Sequence, residues 1–232
     1  MAGVETPTNK SDLPTRALSA IVMLVVAGGA LWLGGWVWAA LVAVAALGVL
    51  WEWWGLVRGF VTSVPGRIVW MMGGFIYVGL AALMLFVLRV VPLPLGQILL
   101  FAIILSVIGT DIGAYFSGRT FGGPKIAPKI SPSKTWSGLF GGMAGAAAAL
   151  LLLTYQAEGF ADFGWKLLAG AMVAVVAQSG DFFESWMKRR AGVKDASNLI
   201  PGHGGLFDRA DGLLAVTFVL GLIASFNFVV RP

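Results

Sequence analysis

Long uncharged runs alternate with short polar segments along the chain, and this alternation predicts about seven membrane-crossing helices. From Ala17 to Trp51 no residue carries a charge. One helix of those 35 residues would run about 52 Å, well past a hydrocarbon core of about 30 Å, so two crossings that break near Gly34 and Gly35 fit better. Further apolar spans run from Ile68 to Leu88, Ile98 to Phe116, Gly138 to Tyr155, Trp165 to Met187 and Leu213 to Val230. Between them lie a polar tail over Met1 to Arg16, a connection from Arg58 to Arg67, and a turn from Arg89 to Gly96 with Pro92 and Pro94. A loop from Gly118 to Trp136 follows, in which Pro124, Pro128 and Pro132 forbid a long helix. A polar turn holds Glu158 and Asp162. The predicted fold class is all-α and polytopic, with six to nine crossings as the range the pattern allows. A cleaved signal peptide is the competing reading of the first span, but no small-residue cleavage site followed by polar sequence is evident. The expected organisation is a tail over 1–16, N-terminal helices over 17–96, and a region over 97–232 that carries the chemistry on loops 117–137 and 188–207.

Composition turns this pattern into a membrane assignment. The chain is 58% hydrophobic and 12% charged, against about 45–50% and 25% in soluble domains. It has no cysteine and a single histidine, His203, which excludes a disulfide framework and all but excludes a zinc site. Any cation here is expected to be hard and oxygen-bound, with Mg²⁺ the default beside phosphate. The net charge of +5 does not point to nucleic acid, because the basic residues border apolar spans, where orientation and anionic headgroups account for them. With a cytoplasmic N-terminus, every Lys and Arg except Arg89, Lys166 and Arg231 lies on the cytoplasmic side. That bias follows the positive-inside rule and puts both polar loops in the cytoplasm.

The chemistry concentrates between Gln178 and Gly212. Asp181, Glu184, Ser185 and Lys188 fall at i, i+3, i+4 and i+7 and share one face of a predicted helix end. Pro201, Gly202, Gly204 and Gly205 then impose a loop, and Asp208 and Asp211 open the last apolar span one turn apart. Carboxylates at Asp181, Asp208 and Asp211 could hold Mg²⁺, while Lys188, Arg189, Lys194 and Arg209 could neutralise phosphate oxygens. Backbone N–H groups around Gly204 and Gly205 could add to such a cradle. The combination suggests phosphoryl or nucleotidyl transfer at the membrane surface. Interfacial ion pairs are the plainer explanation, but they would not require a glycine loop between two acidic helix ends.

Three features outside that stretch bear on function. Asp111 sits inside an apolar span, which is costly unless it faces protein or water, so it is a functional candidate beside a structural hydrogen bond. The loop from Gly118 to Trp136 carries Arg119, Lys125, Lys129 and Lys134 and no acid; spacing alone serves a phosphate loop or a topology signal equally. Gly141, Gly145 and Ala149 recur every four residues, a small-residue pattern suited to close helix packing.

The run Ser185, Lys188, Arg189, Lys194, Asp195, Pro201, His203, Gly204, Gly205, Asp208, Arg209 and Asp211 resembles the signature of the phosphatidate cytidylyltransferases, or CDP-diacylglycerol synthases. The resemblance extends to Asp111, Gly113, Ala114 and Tyr115 and to the segment from Ile130 to Thr135, which looks like that family's Ser-Pro-x-Lys-Thr element. Ser137 departs from the pattern where Glu is frequent, and Ala210 where a larger apolar residue is usual.

The resemblance implies CTP and phosphatidic acid as substrates, CDP-diacylglycerol and pyrophosphate as products, the bilayer of a bacterial inner membrane as setting, and a homodimer, for which the fifth span offers a packing surface. It implies Mg²⁺, and a second cation as an option, on Asp181 and Asp208 with Asp211. Lys188, Arg189, Lys194 and Arg209 would hold phosphates and Ser185 would donate a hydrogen bond. Asp111, Tyr115, Ser131, Lys134, Thr135, Gly204 and Gly205 would line substrate; His203 would donate to a phosphate or fix the loop. A CTP-dependent lipid kinase resembling the dolichol kinases, and an ion-coupled transporter using Asp111, are the alternatives.

Overall fold

The computed structural model describes residues 12–90, 95–158 and 162–230. Seven helices among them are long and apolar enough to cross a membrane, and the chain is an integral membrane protein. They are α1 (Asp12–Leu33), α2 (Gly35–Phe60), α3 (Val64–Val90), α4 (Leu95–Phe121), α5 (Trp136–Glu158), α6 (Phe163–Ala191) and α7 (Phe207–Val230). The break between α1 and α2 falls where the glycines predict it. Gly34 and Gly35 adopt φ of +64° and +49°, a left-handed conformation that glycine enters without a Cβ penalty. Arg89 fills the space a side chain on Gly34 would need, and its Nε donates to Leu31 O at 3.2 Å.

Several expected boundaries move: the Arg58–Arg67 connection shrinks to residues 61–63, and α4 runs on to Phe121. Residues 12–16, assigned to a polar tail, form the first turns of α1; the rest of that tail and most of the Pro92–Pro94 turn lie outside the described residues. The proline-rich segment after α4 is not irregular: β1 (Lys125–Ala127) and β2 (Ser131–Thr135) form a small antiparallel hairpin, with Lys125 opposite Thr135 and Ala127 opposite Ser131. Pro128 sits in its turn and Pro132 on a two-stranded ladder with free edges, where a missing N–H costs little.

Helix packing explains several glycines. A Cβ on Gly109 would lie 2.6 Å from Gly145 O, and one on Gly141 would lie 2.6 Å from Gly113 O, so α4 and α5 touch backbone to backbone. The small-residue face of α5 therefore serves the close helix packing that its spacing predicts, inside the subunit. On the other side of the bundle, Trp53 of α2 packs among Trp70, Phe183 and Phe207, and its Nε1 donates to Trp70 O at 3.0 Å.

At 1.5 Å per residue, α6 is about 43 Å long and exceeds the hydrocarbon thickness of about 30 Å, so its last turns can carry charge to the membrane surface. Lys188, Arg189 and Arg190 end it, favourably placed against the helix dipole, and Gly192 at φ +72° terminates it. The hairpin, the α6–α7 connection and the start of α1 meet at this end of the bundle. Arg189 Nε donates to Ile130 O at 3.4 Å, and Ser19 Oγ lies 2.8 Å from His203 Nδ1.

Candidate active site

The expected face of α6 forms. Asp181, Glu184, Ser185 and Lys188 line up on it, and α7 approaches closely at Gly180, where a Cβ would lie 2.5 Å from Asp211 O. That approach brings one ligand oxygen each from Asp181, Glu184 and Asp211 to within 4.8 Å of one another. Glu184 is 1% exposed. Its Oε2 receives Lys188 Nζ at 2.6 Å, whereas Oε1 has no hydrogen-bond partner among the described residues. A buried carboxylate oxygen without a partner is costly. The donor set is chemically suited to a hard divalent cation: three carboxylates, one with an orphaned oxygen, and neither Cys nor His.

Asp208 is not one of these three but adjoins them, sharing the Lys188 ammonium with Glu184, whereas sequence favours the set Asp181–Asp208–Asp211. Its Oδ1 receives Lys188 Nζ at 2.6 Å, and its Oδ2 accepts the N–H groups of Ala196 at 2.9 Å and Gly205 at 2.7 Å. The physical reason is local. Asp208 lies in the first turn of α7, where the dipole favours an anion, and it folds back onto the loop's free N–H groups. Gly205 cannot be larger, since its Cβ would lie 3.0 Å from Asp208 Oδ2 and 2.6 Å from Glu52 Oε1. The Gly205 N–H expected to face phosphate is therefore engaged inside the protein. Gly204, at φ +82°, makes the turn and accepts Ile200 N–H at 2.8 Å.

Lys134 on the hairpin forms an ion pair with Asp181 of α6, so the cationic hairpin meets the carboxylate face of that helix. Ser185 Oγ donates to Asp181 Oδ1 at 3.3 Å. Thr135 is buried, and its Oγ1 accepts Gly138 N–H at 3.0 Å at the start of α5. Ser137, the departure from the resembled pattern, donates to Gly122 O and ties the first turn of α5 to the residue that follows α4. Ser131 is buried in the hairpin. A cavity of about 460 Å³ opens beside this region, lined by Asp111, Tyr115, Arg119, Lys125, Lys134 and Gln178 among others. Asp111 thus lines this cavity from α4, and Arg119 Nη1 donates to Tyr115 OH at 2.9 Å.

Arg189 is spent partly on backbone, donating to Ile130 O and Val193 O at 3.4 Å each. Arg209 clamps the loop through His203 O, at 3.0 Å from Nε and 2.8 Å from Nη2. Lys194 is exposed at the rim of a second cavity, this one polar, beside His203 and Arg209.

Sequence reasoning missed Glu52. This α2 residue is 1% exposed. Its Oε1 accepts Ser197 Oγ at 2.5 Å and Leu206 N–H at 2.8 Å, and its Oε2 accepts Phe207 N–H at 2.6 Å. It therefore satisfies the free N–H groups at the start of α7 from another helix. The signal was present, since Glu52 is a lone acid in an apolar span, like Asp111.

Residues 62–226, which include this cluster and both cavities' loops, match the Cytidylyltransferase family. The chain is 44% identical over 159 residues to a phosphatidate cytidylyltransferase of Brucella suis, covering 67% of this chain and 57% of that protein. It is 36% identical over 169 residues to the protein of that name from Pseudomonas aeruginosa, covering 70% and 62%. With the one from Rickettsia bellii it shares 35% over 224 residues, covering 92% and 91%. The chain belongs to the cytidylyltransferase family. It spans less than two thirds of the length of the Brucella and Pseudomonas relatives.

Proposed function

We propose that the chain transfers the cytidylyl group of CTP to phosphatidic acid, giving CDP-diacylglycerol and pyrophosphate for phospholipid synthesis. The observation that carries this reading is the Asp181–Glu184–Asp211 cluster, with its orphaned Glu184 oxygen, set between Lys134 and Lys188 at the surface end of a membrane bundle. The names of the relatives support the substrates.

The chemistry asks little covalent work of the protein. A phosphate oxygen of the lipid attacks the α-phosphorus of CTP, the bond from that phosphorus to the β-phosphate bridging oxygen breaks, and pyrophosphate leaves with the electron pair. The nucleophile is already an anion, so no activated Ser or Cys is needed. The barrier lies in bringing two anions together and in charge developing on the leaving group, which preorganised cations lower. Lys134 and Lys188 stand on either side of the cluster for this purpose, and Arg209 holds the loop beside it. Asp181, Glu184 and Asp211 would hold Mg²⁺, which when bound neutralises phosphate oxygens. Asp208 organises Lys188 and the loop, and Ser185 orients Asp181.

The positive-inside bias supports a cytoplasmic side for the site loops and the start of α1, where CTP is available, and the family resemblance supports a bacterial inner membrane. A homodimer, carried over by resemblance, would pack through a face other than Gly141 and Gly145. The test is product analysis with labelled CTP, phosphatidic acid and Mg²⁺. CDP-lipid with pyrophosphate supports transfer; phosphorylated lipid with CDP indicates a lipid kinase, and unchanged substrates a transporter.

A further inference from the structure

We propose that α1 completes the site: Arg16, with Lys194 and Arg209, walls a phosphate-binding subsite, and Ser19 positions His203 within it. The proposal rests on the transfer reaction above and adds residues from a helix outside the matched region 62–226.

The second cavity, about 440 Å³, is lined by Arg16, Lys194, Asp195, His203 and Arg209 among others. Three permanent cations thus face one carboxylate and one imidazole. Among the described residues none of the three cations is ion-paired, although the guanidinium of Arg209 donates to a carbonyl. Converging unpaired cations repel one another, and an anion that accepts from all three removes that cost. Phosphate is the anion both substrates carry, and guanidinium forks suit its geometry.

The placement of Arg16 is built into the loop. Gly202 lies at φ +75°, and a Cβ there would sit 2.7 Å from Arg16 Cγ, so the stem of Arg16 rests on a position that only glycine leaves open. One turn on, Ser19 Oγ lies 2.9 Å from Thr15 O, 3.1 Å from Arg16 O, 3.0 Å from Pro201 O and 2.8 Å from His203 Nδ1. The hydroxyl has one hydrogen. If it pointed at Nδ1, the oxygen lone pairs would face three carbonyl oxygens. The network therefore assigns the hydrogen to a carbonyl and makes Nδ1–H the donor to Ser19. Nδ1 then fixes the ring against α1, and Nε2 is the ring nitrogen left for a ligand.

The full chain carrying Arg16→Gln, Arg16→Lys or Ser19→Ala is assayed for the KM of CTP, the KM of phosphatidic acid and kcat. Direct titration with inorganic pyrophosphate, and separately with short-chain phosphatidic acid in detergent, accompanies the kinetics. Arg16→Gln is expected to weaken one phosphate ligand about ten-fold or more, the scale of one charge-assisted hydrogen bond. A rise confined to CTP, with weaker pyrophosphate binding, assigns the subsite to the nucleotide; a rise confined to phosphatidic acid assigns it to the lipid headgroup. Arg16→Lys should recover part of the loss, and it is read in the same titrations if Arg16→Gln does not survive purification. Ser19→Ala should raise the same KM and weaken the same titration, by less than Arg16→Gln does. Folded Arg16→Gln protein with both KM values and both titrations unchanged overturns the subsite, as does a fall in kcat alone. If the wild type transfers no cytidylyl group, the proposed reaction fails, and the two titrations still decide the subsite.

Discussion

Lys188 on α6 and Asp208 on α7 are joined by a 2.6 Å ion pair, and the same ammonium lies 2.6 Å from Glu184 Oε2. Both members are mostly shielded, with side-chain exposures of 12% for Lys188 and 7% for Asp208. Asp208→Asn leaves the Lys188 ammonium with Glu184 as its remaining carboxylate and deprives the Ala196 and Gly205 N–H groups of a charged acceptor. It should lower stability by about 1–3 kcal/mol and reduce turnover by orders of magnitude. Thermal unfolding in detergent together with steady-state kinetics checks both; wild-type values in either would show that Asp208 does not organise Lys188 and the loop.

Glu52→Gln tests the cap on α7. A glutamine can still accept at one oxygen, but its NH₂ would face a backbone N–H, so at least one bond is lost. The expected cost is about 1–3 kcal/mol, read as a lower melting temperature, with a fall in kcat because the cap adjoins the Asp208 loop. Unchanged melting would show that the carboxylate is not needed there.

Gly113→Ala tests the α4–α5 contact. A methyl group at Gly113 would overlap the Gly141 carbonyl, so the helices must separate along a backbone-to-backbone seam. The expected result is lower thermal stability and a lower yield of monodisperse protein. Gly73→Ala, with open space at its Cβ position, is the comparison that should remain near wild type.

Topology is tested by labelling. Single cysteines at Lys129 and Lys194 are easily introduced because the chain has none. Membrane-impermeant reagent should reach both from the cytoplasmic face, and labelling from opposite faces would refute the arrangement.

The fold was legible wherever charge was absent. A helix in lipid satisfies its own backbone, so an uncharged run of sufficient length has few alternatives. The hairpin was not legible, because Lys125–Ala127 and Ser131–Thr135 are short, polar and proline-flanked and show no alternation. Helical spacing did place Glu184 on the face of Asp181. What it could not reveal was the direction of Asp208, which is decided by backbone N–H groups at Ala196 and Gly205 that only the folded loop presents. Glu52 escaped for a related reason: its partners lie about 150 positions away on the chain, at Ser197, Leu206 and Phe207.

The most direct test of the cation site is Mn²⁺ binding, followed by electron paramagnetic resonance on purified protein. Wild type, Glu184→Gln and Asp211→Asn are compared with Asp162→Asn, an exposed position at the start of α6 far from the cluster. The three-carboxylate site predicts that Glu184→Gln and Asp211→Asn each weaken Mn²⁺ by about ten-fold or more while Asp162→Asn binds like wild type. Wild-type affinity in folded Glu184→Gln and Asp211→Asn would contradict the cation site and the mechanism built on it.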